Sequence, residues 1–369
     1  MRLPPWQTSV SRPARSDASA AGLRYVSPDS PGITRRRAGR GFRYETASGA
    51  AIRDAAVLER IRAIVIPPAW TDVWICANPD GHVQATGRDA RGRLQYRYHP
   101  RFRARRDRDK FSRLVRFGAA LPRIRRVLRR DLARRGLPRE KVLAAVVRML
   151  ETSSFRIGNP EYARLNRSFG ISTLRRRHAQ VSGGSVRFRF RGKGGRLEER
   201  TLVDRGLAAV IRRCQDLPGQ ALFQYLDDDG EERAVTSEDV NEYLRDAAGS
   251  DEFSAKDFRT WVASVLAHRA LRVEPIREAL RQTAEQLNDT VAVTRNSYVH
   301  PAVLAEGASM TRAVRRAARP GARHRPIERR DELALLATLR GSARGRARTA
   351  TRAQVQGGDG AVRKRADRD

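Results

Sequence analysis

Apolar residues recur at helical spacing from Ala51 to Ile64, with Ile52, Ala55, Leu58 and Ile61 on one side, and Pro67-Pro68 closes the run. The pattern then shortens. Val73–Cys76, His82–Thr86 and Leu94–Tyr98 are split by Asn78-Pro79-Asp80-Gly81 and Asp89-Ala90-Arg91-Gly92, which predicts three antiparallel strands joined by two tight turns. From Pro100 the spacing is helical again. Phe102–Phe117, Leu121–Leu132 and Arg139–Met149 read as three helices, the last with Pro138 at its first turn. Ser185-Val-Arg-Phe-Arg-Phe-Arg191 alternates strictly, turns at Gly192-Lys193-Gly194-Gly195 and returns through Arg196 to Val203, a hairpin with Lys193 at or beside its tip. Asp204–Cys214, the run from Ser237 through Leu244, and Glu274–Leu287 are further helices, and Leu222–Tyr225 is strand-like. Lys256–Leu266 reads as amphipathic, with Lys256 and Arg259 three apart on one face. The fold class is α+β: an antiparallel sheet in a small N-terminal domain, then a mostly helical domain carrying a small hairpin sheet.

Composition divides the chain further. Residues 1–20 are Pro/Ser/Arg-rich and expected to be disordered. Gly22–Gly41 stays polar, so residues 21–110 are assigned to the sheet-bearing domain, 111–307 to the helical one and 308–369 to a basic, largely disordered tail. From Thr311 that tail has seventeen Arg/Lys against six acids and one short helical pattern, Asp331–Leu339. A formal net charge of +34 on 369 residues points to a polyanionic partner, nucleic acid before an anionic membrane surface. No apolar run approaches the ~20 residues that span a bilayer, and the prolines of the Arg/Ser-rich N-terminus argue against a transit peptide. A cytoplasmic, nucleoid-associated location is the expectation. Cys76 and Cys214 are the only cysteines, and the six histidines lack ligand spacing, so neither a disulfide framework nor a metal site is expected.

Candidate chemistry centres on Thr290–Pro301, with Tyr298 near its end. Pro301 stops any helix continuing from Tyr298. A lone tyrosine is ordinarily a half-buried packing residue. Upstream, however, Arg156 stands at a junction opened by Gly158 and Pro160, Lys193 on the Gly-rich turn, and Arg259 in a helical run. Together they would make a cationic pocket for a phosphate, facing a phenol able to attack it. Only five of the 75 basic residues are lysine: Lys110, Lys141, Lys193, Lys256 and Lys364. Lysine can release its proton where arginine cannot, which singles out Lys193 and Lys256. The Lys193 turn is not a phosphate-binding P-loop, since no Ser/Thr follows the lysine, and no nucleotide site is visible. Tyr96 and Tyr98 share a face flanked by Arg88, Arg93, Arg97 and Arg101; this reads as a DNA-binding surface or as a core aromatic pair.

Five segments in this order resemble the type IB DNA topoisomerases, specifically the small poxvirus-like bacterial form. They are Arg88–Tyr98, Arg156–Tyr162, Phe190–Lys193, Lys256–Thr260 and Ser297-Tyr298, within a resemblance running from about Gly22 to Leu304. It implies the tyrosine recombinase/topoisomerase IB catalytic fold, working as a monomer on double-stranded DNA without ATP, metal or other cofactor. Tyr298 would attack a backbone phosphate, giving a 3′-phosphotyrosyl link and a 5′-hydroxyl that later reverses the step. Arg156 and Arg259 would hold the non-bridging oxygens, Lys193 would protonate the leaving oxygen, and Lys256 would assist. Tyr96, Tyr98 and Tyr162, with Arg88 and Arg97, would touch DNA.

One position departs from the family. Nine residues before the tyrosine, where His or Asn donates to a phosphate oxygen, this chain has Asp289 beside Asn288. The expectation is that Asp289 pairs with Arg156 or Arg259, leaving Asn288 or a water to reach the phosphate. Two alternatives stand beside the topoisomerase reading. A tyrosine recombinase would be favoured by a His in place of Lys256 and by a sequence-specific arm-binding domain, neither of which is visible. A non-catalytic basic DNA-binding protein would explain the charge but not the ordered motifs.

Overall fold

The structure, a computed structural model, describes residues 12–90, 92–227, 229–309 and 327–342. It divides after Lys110 into two compact units.

The first unit opens with α1 (Arg12–Ala20) and continues through β1 (Ile33–Ala38), β2 (Gly41–Glu45), α2 (Ala55–Ala63), β3 (Thr71–Ile75), β4 (Val83–Arg88) and β5 (Leu94–Tyr98). The strands form one antiparallel sheet of order β2-β1-β3-β4-β5. It therefore has five strands, not the three expected. The two extra strands, Ile-Thr-Arg-Arg-Arg-Ala and Gly-Phe-Arg-Tyr-Glu, look polar because only Ile33 among them is buried. Exposed arginines at a sheet edge suit that place, since edge charges discourage pairing with another chain. Asp54 caps α2 by accepting from Ala56 and Val57 N–H, and Ile61 packs on Ile33, Val73, Ile75 and Ala85. Residues 12–20 are helical, with Ala18 buried against Leu23 and Phe102, which corrects the expectation of disorder there. Residues 1–11 lie outside the described residues.

The boundary between the units falls within α3 (Pro100–Leu132), a single 33-residue helix where the sequence pattern predicts two. Pro122, inside the second predicted helix, removes only one ladder bond. The apolar stripe Leu114, Phe117, Leu121, Ile124, Leu128 continues across it into the core. The second unit follows with α4 (Arg139–Ser153), α5 (Pro160–Asn166), β6 (Ala179–Ser182), β7 (Ser185–Arg191), β8 (Leu197–Val203), α6 (Arg205–Asp216), β9 (Gln224–Leu226), β10 (Glu232–Ala234), α7 (Ser237–Ala248), α8 (Ala255–Leu271), α9 (Ile276–Gln286), α10 (Val291–Ser297) and α11 (Pro301–Ser309), and then α12 over 329–342. Strands β6-β7-β8 form an antiparallel sheet in which Val186, Phe188 and Phe190 face the core while Arg187, Arg189 and Arg191 face out. The mixed α+β class is as expected.

Two elements differ from their sequence reading. Helix α8 is not amphipathic: Asp257–Ala267 is buried throughout, so the helix threads the core, while Lys256 is exposed in its first turn. Helix α12 is no part of a loose tail. Its Leu335 and Leu339 are fully buried in the main core, and Glu332 accepts both Arg125 guanidinium nitrogens (2.8 and 2.7 Å) and Trp261 Nε1 (3.1 Å). The basic arm expected over 310–326 and 343–369 lies outside the described residues.

Candidate active site

Helix α4 ends at Ser154 in the left-handed conformation (φ 60°), turning the chain so that Phe155 enters the core and Arg156 follows it. The Arg156 backbone is fixed from below, because its C=O accepts Ile171 N–H (2.9 Å) and Ile157 C=O accepts Ser172 N–H (2.7 Å). The approach depends on glycine: a Cβ on Gly170 would lie 2.5 Å from Gly158 N and 2.6 Å from Arg156 O.

Arg259 comes from the buried α8. Its Nη1 donates to Ser154 C=O (2.5 Å) and its Nη2 to Leu287 C=O (2.6 Å) and Asp289 Oδ2 (3.1 Å). Nε is buried and has no partner among the described residues. Burial pushes this guanidinium's pKa down and the neighbouring Arg156 pushes it the same way, while Tyr298 and Asp289 oppose. Arg156 Nη2 donates to the same Asp289 oxygen at 2.6 Å, and Asp289 Oδ1 accepts Thr290 N–H at 3.0 Å. One carboxylate thus yokes both arginines.

Tyr298 caps α10 after Thr290 has capped its start. Pro301 opens α11, so the break expected at that proline is where two helices meet. The Tyr298 ring lies under the Arg259 guanidinium, 5.0 Å from Cζ to centroid, and its hydroxyl has no hydrogen-bond partner among the described residues. Ser264 sets the turn. Its hydroxyl donates to Tyr298 C=O (3.1 Å) and accepts His300 N–H (3.1 Å). The sequence reading misses Ser264, although a serine within Val262-Ala263-Ser264-Val265-Leu266 is a polar group at core positions and requires a partner.

The structure therefore brings together Arg156, Arg259, Asp289 and Tyr298. The two lysines stand apart in character. Lys193 is exposed in a short turn, Lys193–Gly195, in which Gly194 and Gly195 are both left-handed (φ 76° and 80°). Lys256 is exposed where Arg259, on the same helix, is buried, so they do not share an environment. Asn288, expected together with a water as the alternative donor to the phosphate, gives one amide hydrogen to Leu197 C=O at 2.8 Å.

Of the other candidates, Tyr162 is 42% exposed on α5, whose N-cap Asn159 accepts Tyr162 N–H. Tyr96 is 44% exposed and stacks on Tyr98 (5.8 Å between centroids), which stacks in turn on Phe102 (5.5 Å). The pair is both packing and surface, and burial raises the pKa of both phenols. Arg97 donates to Val65 C=O (3.0 Å) beside the Trp70 ring, and Arg88 donates to Gly92 C=O (2.9 Å). A basic groove of about 690 Å³ is lined by Arg177, Arg187, Arg189 and Arg191 together with Phe169 and Phe190.

A family model described as the catalytic core of eukaryotic DNA topoisomerase I matches residues 99–318, and one described as the N-terminal domain of bacterial DNA topoisomerase IB matches residues 41–89. The DNA topoisomerase 1B of Acanthamoeba polyphaga mimivirus is 35% identical over 260 residues, covering 66% of this chain and 77% of that protein. Among solved structures, the XerH site-specific recombinase bound to difH, post-cleavage, aligns at TM-score 0.35 and 15% identity over 51% of this chain and 50% of its own. The pre-cleavage complex aligns at 0.33. A likeness at that level carries no argument for recombination. The family matches cover most of both units, and the chain belongs to the type IB DNA topoisomerases.

Proposed function

We propose that Tyr298 is the nucleophile with which this topoisomerase relaxes supercoiled duplex DNA. The reading rests above all on Asp289 holding Arg156 and Arg259 together, with the Arg259 guanidinium over the Tyr298 ring. The Tyr298 oxygen attacks a backbone phosphorus, the bond to the 5′-oxygen breaks, and a 3′-phosphotyrosyl ester forms. The cut strand rotates, and the 5′-hydroxyl then attacks the ester and frees the tyrosine.

Charge on the non-bridging oxygens grows in the transition state, and the remaining donors of Arg156 and Arg259 meet it there. They act from a water-poor site, where a guanidinium counts for more than in bulk solvent. Lys193, on its glycine turn, supplies the proton that the departing 5′-oxygen needs. Exposure in the free protein does not argue against that role, since catalytic contacts often tighten only in the complex. Lys256 at the start of α8 contacts a DNA phosphate outside the arginine pair. Duplex DNA is held by Tyr162 and the β7 groove from the second unit and by Tyr96 from the first. The arginine pair and Tyr298 make one pocket without a second subunit, in keeping with action as a monomer, and the DNA substrate places the enzyme in the cytoplasm with the nucleoid.

The decisive test is relaxation of a supercoiled plasmid in EDTA without ATP, together with capture of a covalent adduct by denaturant. The expected result is relaxation of both supercoil signs, an adduct at Tyr298, and loss of adduct but not of binding in Tyr298→Phe. A requirement for a divalent ion or ATP, or an adduct on Tyr162, would refute the assignment.

A further inference from the structure

Helix α9 ends in a Schellman motif. Asp289 N–H reaches back to Ala284 C=O (2.9 Å) and Asn288 N–H to Glu285 C=O (3.0 Å), with Asn288 left-handed at φ 48°. Glycine is the usual occupant of such a position, and asparagine the residue that tolerates it while keeping a side chain. Here that side chain is in use. Asn288 Nδ2 donates to Leu197 C=O at 2.8 Å, Arg196 Nη1 donates to Asn288 C=O at 3.4 Å, and Arg200 donates to Gln286 C=O. Leu197 opens β8 and pairs with Arg191 of β7, so these bonds grip the hairpin just below the Lys193 turn. The next residue after Asn288 is Asp289, which holds Arg156 and Arg259.

We infer that Asn288 is a positioning residue that locks the Lys193 hairpin to the arginine pair, so that proton donor and phosphate pocket keep one register. The inference rests on Lys193 as the donor to the leaving oxygen. A glycine turn alone leaves Lys193 with many orientations, and a catalytic donor must be held within hydrogen-bond reach of the atom it serves. Two of the three bonds, those from Arg196 and Arg200, reach backbone carbonyls that most substitutions at 288 would preserve. The Asn288 amide is the one contributed by the side chain at the corner itself.

Asn288→Gly removes the amide while keeping a residue at home in the left-handed conformation, and so separates the latch from the turn. Single-turnover cleavage is measured with an ordinary substrate and with one whose 5′-bridging oxygen at the scissile phosphate is sulfur. A thiolate leaves without needing a proton. On the ordinary substrate Asn288→Gly is expected to cleave roughly three- to tenfold more slowly, the effect of one hydrogen bond. On the sulfur substrate it should match the unaltered enzyme, with DNA affinity and melting temperature unchanged. Added to Lys193→Ala, it should slow cleavage no further. An unaltered rate in Asn288→Gly, or an equal defect on both substrates, overturns the latch. Lys193→Ala run in parallel separates the two levels. If sulfur rescues Lys193→Ala but not Asn288→Gly, only the latch falls. If it rescues neither, the acid assignment falls, and the latch with it.

Discussion

At the scale of single residues, Asp289 is where this chain departs from its family's donor, and its geometry explains how a carboxylate is tolerated there. Facing the phosphate alone it would repel the growing charge. Shared between guanidiniums at 2.6 and 3.1 Å, it is already compensated and fixes both arginine side chains. Asp289→Asn keeps one acceptor, and single-turnover cleavage is expected to stay within about tenfold of the parent rate. Asp289→Ala leaves two adjacent cations, one of them buried, without their anion. Two charge-assisted bonds disappear, roughly 3–6 kcal/mol together, so a fall of about 10²–10⁴-fold is expected. A faster Asp289→Asn enzyme would show instead that the carboxylate handicaps the reaction. The sequence marks Tyr298, Arg156 and Arg259 through their local contexts, but not which of them meet. Asp289 lies 133 positions from Arg156 and 30 from Arg259, and only tertiary packing joins them. Ser264 and the latching role of Asn288 are hidden for the same reason, since both act through distant backbone carbonyls or amides.

At the scale of elements, periodicity is legible wherever one face is dry. The alternation of Ser185–Arg191 and the helices α4, α6, α7 and α9 follow their patterns. It fails where arginine blurs the pattern, as in β1 and β2, and where an element is buried on all sides, as in α8. At α12 it marks the helix, over Asp331–Leu339, but not its burial, since Leu335, Leu336 and Leu339 sit within a basic stretch that reads as tail. Two predictions belong here. Leu339→Ala should lower stability by about 2–5 kcal/mol, the range for a fully buried leucine, read as a drop in melting temperature. A chain ending at residue 308 should fail to fold stably, whereas one ending at 342 should melt like the parent. Equal melting of all three chains would place α12 outside the cooperative core. The second prediction concerns His178, which joins the loop after α5 to the β6–β7 sheet. Its Nδ1 accepts Arg175 N–H at 3.0 Å and its ring stands edge-on to Phe169. Burial first, then Arg177 and Arg175, push its pKa down to about 4. The unfolded chain, with histidine near 6.5, binds more protons between those values, so His178 costs stability as pH falls from about 6.5 to 4. His178→Asn, whose Oδ1 can accept the same N–H, should flatten that part of the melting-temperature profile. An unchanged slope would show that His178 takes up its proton equally in the folded and the unfolded chain.

At the scale of the whole molecule, a net charge of +34 lets affinity come largely from counterion release, while the proposed chemistry centres on Arg156, Arg259, Asp289 and Tyr298. The two should be separable, and the last residues offer the place to divide them. Beyond 342 the chain adds eight Arg/Lys against three acids, all downstream of α12, the last of the described helices. A cut there removes positive charge without touching Arg156, Arg259, Asp289 or Tyr298; a cut at 308 would confound charge with folding. Each basic side chain withdrawn from a duplex phosphate lowers the slope of log affinity against log salt by about 0.9. With eight basic residues removed, the slope should fall by between roughly 1 and 7. The single-turnover cleavage rate at saturating enzyme should not change. Relaxation by the shortened chain should therefore fail at lower salt than relaxation by the full chain, and match it when salt is low. An unchanged slope would mean that these residues do not meet DNA. A lower rate at saturation would place part of the tail at the scissile phosphate, and would join the two functions that the fold otherwise keeps apart.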